Sequence, residues 1–159
     1  MNENEESFIH YAECIDSLNR AWSILHDLRN VNGPSAFHAA AFRYALIEYA
    51  KPYTRSDGTM RKRKLVLPQL SPAHRELHQK ILNLRNQVLA HCDLTLKQAK
   101  LHIFSVGNAP RYLIASNIAE PLPSRDDVIS LIEATLDQMY IESEKRLKSL
   151  PETENQVGD

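Results

Sequence analysis

Apolar residues recur at three- and four-residue steps through four stretches of the chain and alternate through a fifth. In the first, Phe8, Tyr11, Ile15, Leu18, Trp22 and Leu25 keep a strict three-four spacing, which predicts a helix from about Ser7 to Asn30 with Trp22 in the core. Ser7 stands where a cap belongs, Glu3, Glu5 and Glu6 suit the positive end of the helix dipole, and Asn32-Gly33-Pro34 ends the run. Ser35 caps a second helix, about Ala36 to Ala50. It is apolar on more than one face and is therefore expected to be central. Ser71-Pro72 opens a third helix, on which Leu77, Ile81, Leu84 and Val88 share a face and which runs to near Cys92. Ser124 opens a fourth, with Asp127 placed for a capping box and Val128, Leu131, Ile132, Thr135, Met139 and Leu147 as its buried face.

Between the third and fourth helices the period changes. Lys100–Val106 and Arg111–Ala115 have strand composition, with Gly107-Asn108-Ala109-Pro110 as the turn. A lone hairpin is marginal, so it is expected to pack on the bundle or on a second subunit. The fold class read from this pattern is mainly all-α: an antiparallel four-helix bundle with a small β-hairpin between helices 3 and 4. One domain spans 1–159, with a polar tail from about 151.

Lys51-Pro52 stops the second helix, and nearly twenty residues follow before Leu70. So long a connection in a compact domain points to a functional loop. Ser56-Asp57-Gly58 forms a turn at its tip. Arg61, Lys62, Arg63 and Lys64 make it the most basic segment, able to steer phosphates towards a cleft. Since the net charge is only -1, any attraction to nucleic acid has to be local. The two cysteines, Cys14 and Cys92, do not make a disulfide framework and read as reduced and cytosolic. The acidic start of the chain is unlike a secretory signal, and no apolar run approaches the ~18 residues of a membrane span.

The chemistry concentrates at the end of the third helix, where Arg85, Asn86 and His91 flank the apolar seam. A cation and a histidine in the last turns of a helix also complement the dipole, which is the plain structural alternative. His74 and His78 lie one turn apart, as paired metal ligands do, but no third ligand follows and the order matches no common zinc-peptidase pattern. No metal and no cofactor is expected. His78 shares Arg85's face and is expected to line the same cleft.

Arg85-Asn86, then Ala90-His91 with Asp93 after it, resembles the signature of HEPN domains, in particular their abortive-infection-like branch. His91 follows Arg85 by six positions, against five in the commonest form of that signature. The resemblance implies a metal-independent ribonuclease of the toxin or phage-defence kind, with Arg85, Asn86 and His91 as the active residues. It also implies a homodimer that brings two such sets together, with a cognate antitoxin as a possible partner. The expected partner is RNA, held by Arg61, Lys62, Arg63, Lys64 and His78. The alternative is a non-catalytic module of the same fold that binds nucleotide, RNA or a protein.

Overall fold

The structure is a computed structural model that describes residues 2–31, 36–86, 100–107, 109–115 and 122–151. It is an antiparallel four-helix bundle with a two-stranded hairpin between the third and fourth helices. Helix α1 spans Glu3–Asp27 and begins a turn earlier than Ser7. The cap is Asn2: its side chain accepts from the Asn4 and Glu5 N–H groups, and the Glu5 carboxylate reaches back to the Asn2 N–H at 2.8 Å. This reciprocal capping box satisfies end groups that the helix leaves without partners, so it sets the helix start ahead of the first seam residue. Leu28–Asn30 tightens into a 3-10 turn.

Helix α2 covers Ala36–Ala50. Only its second half is central, with Phe42, Ala45, Leu46, Glu48, Tyr49 and Ala50 buried, while Phe37 remains 73% exposed. A 3-10 turn at Lys51–Tyr53 follows. Helix α3, Pro72–Leu84, starts where Ser71 accepts from the His74 N–H. Arg85 is its C-cap, and the expected continuation to Cys92 lies outside the described residues. Helix α4, Arg125–Lys148, starts where Ser124 accepts from the Asp127 N–H.

Helices α1 and α4 run antiparallel and are tied along their length. Arg125 donates to the Leu28 carbonyl at 3.1 Å, Trp22 Nε1 to Glu133 at 2.9 Å, and the Tyr140 hydroxyl to Asn19 at 3.0 Å. The buried face of α1 is wider than the predicted seam, since Cys14, Ser17 and Ala21 join Tyr11, Ile15, Leu18 and Leu25. Trp22 is only partly buried at the rim of that core, its ring 3.9 Å from the His26 ring. A helix packed against two neighbours buries more than a two-residue seam, which moves the core's centre towards Ala21. On α4, Val128, Leu131, Ile132, Thr135 and Met139 are buried as expected, with Ile129 and Leu136 beside them. Leu147 is 58% exposed, on a last turn of α4 whose contact with α1 is made by Arg146 on the Tyr11 ring.

Strands β1, Lys100–Val106, and β2, Ala109–Ala115, pair from Lys100↔Ala115 to Val106↔Ala109. The loop is therefore two residues, and Pro110 is a strand residue opposite Ser105 rather than part of the turn. Proline is tolerated there because both strands of a two-stranded ribbon are edges. Gly107 takes a left-handed φ of 61°, as such tight turns require. The hairpin does not pack on the bundle: Leu101, Ile103, Phe104, Val106, Tyr112, Leu113 and Ile114 are all exposed.

Candidate functional site

Glu6 organises the basic loop from half a chain away. Its buried carboxylate accepts from the Thr59 and Met60 N–H groups and from the Arg63 guanidinium, the last at 3.1 Å. Burial works against the charge of Glu6, but these donors outweigh it and hold its carboxyl below the usual range. Ser56 and Arg63 exchange two backbone hydrogen bonds of 2.9 Å, which closes the tip above Glu6. A side chain at Gly58 would collide with the Arg61 carbonyl and the Glu6 carboxylate. Further along, the Leu65 N–H donates to the Pro52 carbonyl and Gln138 Nε2 to the Gln69 carbonyl. The loop is thus closed on itself and tied to α1, to Pro52 and to α4.

So anchored, the loop forms one wall of an open groove of about 730 Å³. Arg61, Lys62, Arg63 and Lys64 stand on that wall, Ser7, His10 and Tyr11 of α1 lie beside it, and Gln138, Ile141, Glu142, Lys145 and Arg146 of α4 face it. The Arg146 guanidinium lies 4.1 Å from the Tyr11 ring centroid and donates to Glu142 at 3.0 Å, so its direction is set by two contacts. His10 is pushed below its ordinary pKa by burial and by the Arg63 cation. Its Nε2 lies 3.3 Å from Ser56 Oγ.

The four predicted loop cations divide in use. Arg63 is buried and bound to Glu6, so it is a structural anchor rather than a surface contact. Arg61 pairs with Glu3 at 3.0 Å and Lys62 with Asp57 at 3.1 Å, both on the surface, where such pairs are weak and exchangeable. Lys64 is exposed with no ion pair to a described residue.

His78 does not reach this groove or a cleft shared with Arg85. It is 8% exposed, its Nδ1 is 2.8 Å from the Tyr49 hydroxyl, and its ring sits edge-on to Tyr53 at 4.5 Å. Burial, with a smaller push from Lys64, lowers its pKa to about 4. The correction has a simple cause: α3 rotates this position into the core beside Ile81, and an aromatic pair accepts a neutral imidazole there. His74 is turned away, its Nε2 3.3 Å from Ser130 Oγ. Among the described residues no three potential ligands cluster to hold a metal ion.

Arg85 and Asn86 form a pair at the end of α3, Arg85 Nη1 donating to Asn86 Oδ1 at 2.9 Å. Asn86 is exposed and Arg85 partly so. Neither lines the groove, and His91 lies outside the described residues. A guanidinium with one donor fixed by a neighbouring amide keeps further N–H groups to clamp an anion.

The sequence reading missed Glu6 as the anchor of the loop and the contribution of α4 to the groove. It also missed Glu48, which is fully buried with Arg20 at 3.2 Å and Lys51 as partners. A glutamate in the apolar second half of α2, with a cation three positions on, was the available signal. Set against protein-family models, curated proteins and solved structures, the chain matches none. No helix among the described residues is long and apolar enough to cross a membrane.

Proposed function

We propose that the chain is a HEPN-type endoribonuclease that cleaves RNA without a metal ion, as a homodimer. The observation that carries this reading is the Arg85–Asn86 pair at the exposed end of α3, in a bundle with the helix order the motif resemblance implies. In this mechanism the Arg85 guanidinium holds the scissile phosphate and its developing charge. His91 takes the proton of the ribose 2′-hydroxyl or protonates the leaving oxygen. One chain supplies one such histidine, and a two-fold dimer supplies an acid and a base. The exposed apolar residues of the hairpin, Leu101, Ile103, Tyr112 and Ile114, offer a surface that a second copy can cover. A toxin or phage-defence role, with an antitoxin as partner, follows from the same resemblance.

The test is an RNA panel incubated with excess chelator. Wild type should cleave. His91→Ala should lose about 10²–10⁴ in rate, and Arg85→Lys should be severely impaired, since an ammonium cannot copy a planar two-point clamp. Activity that chelator removes, or that His91→Ala retains, rejects the proposal. A second reading, a non-catalytic module that binds RNA, is favoured by a groove that stands apart from Arg85. An inactive wild type that still binds RNA would select it.

A further inference from the structure

The groove between the basic loop and α4 has a built character that a solvated charge run lacks. One wall is fixed by the Glu6 anchor and the Gln138–Gln69 bond. The other presents Lys145 and an Arg146 held by Tyr11 and Glu142. Of the cations on the two walls, Lys64 and Lys145 have no ion pair to a described residue, and Arg61 and Lys62 hold only surface carboxylates. The same two walls carry apolar side chains, Val66, Leu67 and Pro68 on the loop and Ile141 on α4, and Val66 and Ile141 are exposed.

Cations on two facing walls match a ligand with several separated negative charges, not a single anion. Apolar side chains beside them match a ligand that also carries flat, poorly hydrated groups. A single-stranded polynucleotide has both, with phosphates at regular intervals and bases able to lie on apolar side chains. We propose that this groove is the docking track for single-stranded RNA, with Lys64 and Lys145 as phosphate contacts from opposite walls and Arg146 as a preset third. The choice of RNA rests on the nuclease reading above, but the track is separate from Arg85, so binding and cleavage are separable. The exposed Lys62 and Arg61 can exchange their carboxylates for phosphates, whereas Arg63 stays with Glu6.

The experiment uses the full chain and a fluorescent 2′-O-methyl oligouridine of about twelve nucleotides, which cannot be cleaved through its 2′-oxygen. Anisotropy titrations across a potassium chloride series read the affinity and its salt slope. Lys64→Gln with Lys145→Gln should weaken binding at every salt and lower the slope by about 1.4, at about 0.7 per phosphate contact on a single strand. Lys64→Arg with Lys145→Arg should keep the wild-type slope, and Lys80→Gln, on α3 outside the groove, should change nothing. An unchanged slope in the glutamine pair overturns the proposal. So does poly-glutamate that displaces the oligomer as well as oligouridine does, which would make the groove an acidic-peptide site. A wild type that cleaves no RNA yet binds with the expected slope sinks the nuclease reading and leaves the track standing.

Discussion

The helical body and the hairpin use their apolar residues in opposite ways. In the body, Leu18, Leu25, Leu46, Ile81, Leu131 and Ile132 are fully buried, and two ionisable groups enclosed with them have partners, Glu48 in Arg20 and Lys51 and His78 in Tyr49. In the hairpin, Leu101, Ile103, Tyr112 and Ile114 share one face of the ribbon and are exposed. Strand pairing satisfies backbone groups but buries little side-chain area, and one ribbon has no second layer. The lesson is that hydrophobic content does not place a segment in a core; a partner surface does.

The sharpest test of that contrast lies in α1. Leu18→Ala should lower stability by about 2–5 kcal/mol in denaturant unfolding, because it leaves a cavity in a closed core. Trp22→Ala should cost less despite the larger side chain, since its ring sits at the rim. If Trp22→Ala proves the more damaging, the core's centre is misplaced.

A second, smaller effect comes from protons. His78 is held at about 4, below its ordinary 6.5, so as pH falls through that interval the unfolded chain gains a proton that the folded chain refuses. Stability is therefore complete above the ordinary value and is lost as pH falls towards the folded one. His10, also shifted down, acts in the same direction. Glu6, Glu48 and Asp126, whose carboxyls are shifted down, add their loss below the ordinary carboxylate range. Melting temperature followed from pH 7 to pH 4 should fall, and His78→Gln should flatten the decline over the upper part of the range. A wild-type curve level across it would mean that His78 is open to solvent.

The smallest effect belongs to the hairpin. Ile103→Ser with Tyr112→Ser should leave the stability of the isolated chain within about ±0.5 kcal/mol, as for exposed positions generally. A larger loss that grows with protein concentration would show that this face is covered by a second copy in solution.

Local chemistry settled a large part of this molecule in advance. Ser71-Pro72 and Ser124 open α3 and α4, Ala36–Ala50 is a helix, and the strand-rich segment after residue 99 is a hairpin. Each follows from residues within one or two turns of one another, which is the reach of capping, periodicity and turn geometry. Arg85 and Asn86 stood out by a motif resemblance instead, and their side-chain bond to each other is a finding of the structure. What the chain order could not convey is which of Arg61 to Lys64 is buried, since that depends on Glu6 meeting Arg63 across 57 positions. The groove is likewise a product of α4 lying antiparallel to α1, which brings Lys145 and Arg146 to the loop. The fate of His78 was decided by a rotation of α3 that a periodic pattern leaves free by tens of degrees. Contacts of this range depend on helix packing angles and on which polar groups must be satisfied once packed, and only the assembled bundle sets those.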